Sequence, residues 1–186
     1  RLYCDAKNAP RRRRTQTVLW ELTDGLCRLL APILCHTADE AFRALRKVEP
    51  SDTAACVHLE TFIETNGTPG FGVACDPGFA AVMKARAAGM AAIEQARKGL
   101  GVDNPLDMGV TLPDADGTLA RFDAVDLADL LGVSRVWVDR TASAAAVKDL
   151  RQEPRCERSW KRDGTVRARG DGGMLSDRDA AAVGVA

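Results

Sequence analysis

The first quarter of the chain alternates apolar and polar positions with the period of an α-helix. Between residues 10 and 34 the apolar side chains recur every three or four positions, at Val18, Leu19, Leu22, Leu26, Leu29, Leu30 and Ile33. This spacing predicts one long helix with a buried apolar stripe. A second helix is expected to begin at a capping box formed by Thr37 and Glu40, and to end before Pro50.

The helical period is lost between residues 49 and 75, where the extended segment CVHLETFI precedes the glycine- and proline-rich NGTPGFG. We interpret this stretch as a surface connector, since its glycine-rich part lacks the Lys-Ser or Lys-Thr pair of a phosphate-binding loop. A third helix is predicted from Pro77 to about Gly99, with Asp76 as its N-cap.

Short strands follow the third helix. Strands are predicted at residues 110–112 and 133–138, and a helix at residues 123–131 lies between them and is closed by Gly132. This order of elements is typical of a βαβ-like unit of about 40 residues. A further strand is expected at residues 147–150.

Together these elements predict a mainly α protein in three parts. Residues 1–75 form a helical bundle with its connector, and residues 76–150 add one helix and a small α/β domain. Residues 151–186 are polar and glycine-rich, so we expect a poorly ordered tail. The chain begins at Arg1, and RLYCDAK is typical of the last turns of a helix, which suggests a fragment of a longer protein.

Charge is unevenly distributed, although 26 Lys and Arg balance 26 Asp and Glu over the 186 residues. Residues 1–50 carry 10 basic and 6 acidic side chains, whereas residues 101–150 carry 4 basic and 9 acidic ones. Residues 151–186 are again net positive. Both ends of the chain therefore suit a negatively charged partner, and the middle does not.

Four consecutive arginines, Arg11 to Arg14, stand at the predicted start of the first helix, close in sequence to Lys7. They cover a full turn, so they cannot all face a core, and guanidinium groups suit paired hydrogen bonds to phosphate. Each exposed positive charge near a helix N-terminus costs roughly 0.3–1 kcal/mol against the helix dipole. Four such costs in succession favour a phosphate-bearing partner over a merely solvated helix start.

The six cysteines show no paired spacing, and Cys27 falls in an apolar helical run, where a thiol behaves as a small hydrophobic group. The sequence contains no signal peptide and no apolar run of about 18 residues. These features predict a cytoplasmic protein with no membrane partner and no disulfides.

The tail keeps the spacing of two C-x-x-C pairs with a single thiol, at Cys156, Ser159, Ser176 and Asp179. A structural zinc site needs four ligands of the thiolate or imidazole type, and serine is a poor ligand for zinc. The sequence therefore predicts a metal-free tail.

Several motifs occur in the order that is found in one family. They are Arg12-Arg13 followed by Gln16-Thr17, then Leu29-Leu-Ala-Pro-Ile33, Thr37-Ala-Asp-Glu40 with Phe42, Ile93-Glu-Gln-Ala-Arg97, Asn104-Pro-Leu-Asp107 and the tail segment CERSW. In this order the chain resembles the C-terminal part of class I isoleucyl-tRNA synthetases over nearly all its length. The resemblance implies an anticodon-binding helical bundle, a junction domain and a C-terminal zinc knuckle.

The chain departs from that family in two ways. Three of the four knuckle cysteines are replaced, by Ser159, Ser176 and Asp179, so the family's zinc is not expected here. The H-I-G-H and K-M-S-K-S motifs are also missing from the sequence, so no residue is assigned a catalytic role. The resemblance implies that ATP, magnesium and the charging of tRNA with isoleucine belong to N-terminal catalytic and editing domains.

The partner that the resemblance implies is tRNA. Arg12 and Arg13 match the family's paired arginines, and we expect them to contact tRNA phosphate or the anticodon stem, helped by Lys7, Arg11 and Arg14. Trp160 is expected either to stack on an unpaired base or to pack within the protein. The alternative is a stand-alone helical RNA- or protein-binding module without enzymatic activity.

Overall fold

A computed structural model describes residues 3–63 and 77–185 of the chain, which forms two units, residues 1–73 and residues 74–186. The predicted N-cap at Asp76 and the glycine-rich segment 67–72 lie outside the described residues.

Over residues 3–63, the first unit contains two helices, α1 (Pro10–Leu30) and α2 (Cys35–Arg46), and a 3-10 turn at Val57–Leu59. The first helix ends two residues before Pro32, which lacks an N–H and clashes with the preceding turn of a continuing helix. In the described part of this unit, the core consists of one aromatic side chain and four smaller ones: Phe42, Cys27, Ala31, Ala38 and Val57.

The predicted capping box at Thr37 is wrong. The second helix begins at Cys35, with Leu34 as an N-cap that makes no side-chain hydrogen bond. The carbonyl of Leu34 accepts from the N–H of Ala38 at 2.8 Å, so Thr37 already lies inside the first turn. The chain resumes its helix directly after the break at Pro32, before the threonine is reached.

The predicted burial of the α1 stripe is also wrong. Val18, Leu22, Leu26, Leu29 and Ile33 are each more than half exposed. Within this unit α2 covers one side of α1, the side that buries Asp24 and Cys27. Two helices cannot enclose each other, so the apolar positions on the rest of α1 stay at the surface.

The second unit opens with α3 (Pro77–Leu100) and continues with two small sheets. Its α-helices and strands after α3 are, in chain order, β1 (Met108–Pro113), α4 (Ala124–Leu131), β2 (Arg135–Asp139), β3 (Ala146–Asp149), β4 (Arg167–Ala168), β5 (Met174–Leu175) and α5 (Asp177–Val183). The larger sheet has the order β2-β1-β3, and β4 pairs with β5 in the other. Helices outweigh strands in the described residues, so the mainly α prediction is confirmed.

The strands β1 and β2 are parallel and joined by α4, as the predicted βαβ unit requires. Asp123 caps α4 by accepting from the N–H of Val125 at 2.8 Å, and Gly132 closes the helix with a φ of 70°. On its other edge β1 pairs with β3 in antiparallel register. The core between α3, α4 and the sheet includes Val82, Ile93, Met108, Val110, Leu112, Leu127, Leu131 and Val136.

The tail is folded, contrary to the prediction of poor order. It buries a small core of Cys156, Val166, Leu175 and Ala180. Lys161 contacts Asp129 on α4 at 2.5 Å, and Arg162 contacts Asp107 just before β1 at 2.7 Å. The low apolar content that predicted disorder is compensated by polar contacts between residues far apart in sequence.

Asp39 links α2 to the 3-10 turn of the first unit. Its carboxylate accepts from Arg43 Nε at 2.7 Å and from the backbone N–H of Val57 at 2.9 Å. These two hydrogen bonds favour the ionised carboxylate and lower the pKa of Asp39 from its ordinary value of 3.8 to about 2.

This lowered pKa predicts sensitivity of the first unit to acid. Because the pKa of Asp39 is lower in the folded chain than in the unfolded one, its stabilisation is complete above pH 3.8 and is lost as the pH falls towards about 2. We expect the difference in thermal unfolding midpoint between the wild-type chain and Asp39→Asn to shrink over that interval. Unfolding followed by circular dichroism at a series of pH values checks this, and a difference independent of pH contradicts it.

Candidate nucleic-acid interface

The start of α1 carries the predicted arginine cluster, and the structure divides that cluster in two. Arg12 is half-buried and donates from Nη1 to the backbone carbonyl of Asp5 at 3.1 Å, so it fastens the preceding loop to the helix. Arg11 is half-buried as well. Three basic side chains are exposed, namely Lys7, Arg13 and Arg14. No acidic residue stands in the first turn of α1, so the positive end of the helix dipole adds to their charge.

Other arginines of this unit are already paired with carboxylates. They contact carboxylate oxygens at 2.7–2.9 Å: Arg28 with Asp24 and Glu60, Arg43 with Asp39, and Arg46 with Asp24. Among residues 3–63, by contrast, no carboxylate lies within ion-pair distance of Lys7, Arg13 or Arg14. The charges of these three side chains are therefore available to an external anion.

One face of α1 extends this positive surface. Arg13, Gln16, Thr17 and Trp20 follow one another at helical spacing and line a shallow cleft of about 310 Å³. Trp20 is partly exposed, and the guanidinium carbon of Arg46 lies 5.7 Å from the centroid of its ring. The cleft thus combines an exposed guanidinium, an amide, a hydroxyl and an indole. Neither Gln16 nor Trp20 was assigned a role from the sequence, although the spacing of both residues from Arg13 was visible there.

Trp160 lies in the second unit, whereas the arginine cluster belongs to the first. It has a left-handed backbone with a φ of 62°, and its side chain is 54% exposed. The guanidinium carbon of Arg155 lies 5.3 Å from the ring centroid, at a distance typical of a cation–π contact. The exposed ring is compatible with base stacking, which stays a prediction.

The four residues at the knuckle positions meet around one carboxylate. Oδ2 of Asp179 accepts from Cys156 Sγ at 3.2 Å, from Ser159 Oγ at 2.6 Å and from Ser176 Oγ at 2.9 Å. Asp179 and Ser176 are completely buried, as is Cys156. Ser176 also caps α5 by accepting from the N–H of Asp179 at 3.2 Å.

Two guanidinium groups complete the surroundings of this carboxylate. Arg158 Nη1 lies 2.9 Å from Oδ1 of Asp179, and Arg178 Nη2 lies 3.1 Å from Oδ2. Burial raises the pKa of Asp179, but hydrogen bonds from Ser159, Cys156, Ser176 and Arg178 outweigh that effect and hold the pKa below its usual range. The carboxylate is therefore ionised in the folded chain at neutral pH.

These residues do not fit the zinc ion that the knuckle spacing implies. The donor set is one thiol, two hydroxyls and one carboxylate, and the three proton donors point at the carboxylate oxygen. The two guanidinium groups would also repel a divalent cation at this place. Within residues 3–63 and 77–185, no group of three or more His, Cys, Asp or Glu side chains is placed to hold a metal ion.

None of the helices in the described part of the chain is both long and apolar enough to cross a membrane.

Comparison with known proteins identifies the family. The family described as the anticodon-binding domain of tRNA ligase matches residues 1–112. Similar relatives are the isoleucine–tRNA ligases of Geobacter sulfurreducens (32% identical over 97% of this chain), Zymomonas mobilis (30% over 99%) and Burkholderia cenocepacia (34% over 86%). The chain spans about a fifth of the length of these relatives, or 20%, 19% and 17%. Since the family match covers more than half of the chain, this protein belongs to the family of anticodon-binding domains of tRNA ligases.

Proposed function

We propose that this chain is the C-terminal, tRNA-recognising part of a cytoplasmic isoleucine–tRNA ligase. The observation that carries the proposal is the exposed charge of Arg13 and Arg14 at the start of α1, which has no carboxylate partner among residues 3–63, in a chain of the anticodon-binding family. Activation of isoleucine with ATP and magnesium, and its transfer to tRNA, would be the work of the catalytic part of that enzyme. This chain contributes recognition.

The basic side chains of the cluster and the residues of the adjoining cleft are proposed to contact different parts of the RNA. Lys7, Arg13 and Arg14 bind phosphates of the anticodon stem and set the position of the RNA, because phosphate contacts carry no sequence information. Trp20 and Gln16 contact unpaired nucleotides, the indole by stacking and the amide by hydrogen bonding to base edges. Arg12 positions the helix start through its hydrogen bond to the carbonyl of residue 5.

Arg11 and Trp160 are proposed to make two further contacts with the RNA. Arg11 adds positive charge to the same turn as Arg13 and Arg14, although it is half-buried. Trp160 offers an exposed ring in the second unit for stacking on another unpaired base.

Binding of the 186-residue chain to an isoleucine tRNA transcript tests the proposal. We expect the affinity to fall steeply with salt, and to be lost for the same transcript without its anticodon stem-loop. Fluorescence anisotropy with both labelled transcripts measures this. Equal binding of the two transcripts would contradict anticodon-stem recognition, and equal binding of unrelated structured RNAs would favour the stand-alone RNA-binding module.

A further inference from the structure

The cluster around Asp179 connects two segments of the tail that are far apart in sequence. Cys156 and Ser159 precede β4, whereas Ser176 and Asp179 follow β5. One carboxylate oxygen therefore holds together the two ends of the β4–β5 hairpin. A zinc ion makes the same connection when two C-x-x-C pairs supply its four ligands.

The tail needs such a connection because its apolar core is small. Its buried side chains are Cys156, Val166, Leu175 and Ala180, with Met174 packed against them. Segments of this size rarely bury enough apolar surface to be stable without a disulfide, a metal ion or another cross-link. The Asp179 cluster joins this core to the turn at residues 156–159 and to the start of α5, beside the backbone hydrogen bond from Glu157 to Met174 and the contact of Arg169 with Asp177.

The buried carboxylate of the cluster has positively charged partners without a metal. The buried carboxylate would be costly to desolvate alone, but Arg158 and Arg178 place two guanidinium groups on it. The thiol and both hydroxyls donate to it, so each of these donors has an acceptor. Bringing a zinc ion to this point would require breaking all three of those hydrogen bonds.

From this geometry we propose that residues 151–186 form a metal-free knuckle, in which the Asp179 carboxylate takes the place and the cross-linking role of a zinc ion. The residues of this cross-link are not among those proposed to contact tRNA, and they hold the C-terminal part of the chain together.

Metal analysis of the wild-type chain, expressed with zinc and dialysed, gives the first test. We expect mass spectrometry of the metal content to detect no bound zinc. We also expect the hydrogen-exchange protection of residues 156–183 to be the same with and without a chelator. Stoichiometric zinc that survives dialysis, or a loss of protection on chelation, would overturn the proposal.

Rebuilding the zinc site tests whether the carboxylate lies where the metal would be. The variant Ser159→Cys/Ser176→Cys/Asp179→Cys places three thiols beside Cys156. We expect this variant to bind one zinc ion per chain and to become sensitive to chelators. Four thiolates around zinc leave a net negative charge, and Arg158 and Arg178 face that charge. Cobalt substitution, read by the absorption of a tetrathiolate complex, reports the coordination. A variant that binds no zinc would contradict the proposal that the Asp179 carboxylate lies where a zinc ion would be.

A single substitution tests the cross-linking role. Asp179→Asn keeps the shape of the side chain, but it replaces an accepting oxygen by an amide donor and removes the charge that Arg158 and Arg178 face. We expect hydrogen-exchange protection in β4, β5 and α5 to be lost. The matched control is Asp171→Asn, because Asp171 is exposed in the turn between these strands. Equal protection in the two variants would show that the cluster is not the cross-link.

Discussion

Replacement of Phe42 by alanine is expected to unfold the two helices of residues 1–73. Phe42 is 1% exposed, and it is the aromatic side chain of a core whose other members are two alanines, a cysteine and a valine. Removing a buried phenylalanine costs about 3–5 kcal/mol, which is a large share of the roughly 5–15 kcal/mol that stabilises a whole domain. Hydrogen exchange resolved by mass spectrometry should show loss of protection in α1 and α2, with the β1–α4–β2 unit unchanged.

The matched control for this substitution lies in the same unit. Phe62 is 61% exposed, so Phe62→Ala removes the same atoms from a position that buries little apolar surface. We expect a change within about 0.5 kcal/mol for the control. If both variants lost protection to the same extent, the core assigned to this unit would be wrong.

The double variant Arg13→Ala/Arg14→Ala is expected to weaken binding of isoleucine tRNA by roughly tenfold or more at low salt. Each arginine that neutralises a phosphate releases a counterion, so losing two contacts should flatten the slope of log affinity against log salt by about 2. Alanine is a better helix former than arginine at a helix start, so the helical content should not fall. Anisotropy titrations at several salt concentrations, with circular dichroism of each protein, measure both quantities.

Two controls separate the local contact from the loss of net charge. Arg121→Ala/Arg140→Ala removes the same charge from exposed positions of the other unit, and we expect the salt slope to stay as in the wild type. Arg13→Lys/Arg14→Lys keeps the charge and should restore most of the slope, since lysine binds phosphate as a point charge. Unchanged affinity and slope in the alanine variant would exclude Arg13 and Arg14 from the interface.

The local elements of the fold were largely predictable from the chain. Helical periodicity located α1, and capping chemistry bounded α4, because Asp123 and Gly132 act on the backbone within one turn of themselves. The order of the motifs also predicted the family, with Arg12-Arg13 and Gln16-Thr17 at its start. Each of these signals depends on residues that are neighbours in sequence.

The candidate interface was predictable in position but not in detail. Four arginines in succession marked the start of α1, yet nothing local distinguishes Arg12, which contacts the loop at residue 5, from the exposed Arg13. The pairing of Arg46 with Asp24 joins positions 22 residues apart and was likewise hidden. Whether a basic side chain is left without a carboxylate partner depends on which carboxylates the fold brings near it. The spacing of residues along the chain does not specify this.

The amino-acid sequence by itself determined where α1, α4 and the βαβ unit form, and which family the chain belongs to. Backbone preferences and motifs each depend on residues that are neighbours in the sequence. Tertiary structure alone decided that the apolar stripe of α1 is left exposed and that the polar tail is folded. It also decided that Cys156, Ser159 and Ser176 converge on Asp179. Burial and buried hydrogen bonds arise from segments distant in sequence, and their energies exist only once those segments are in contact.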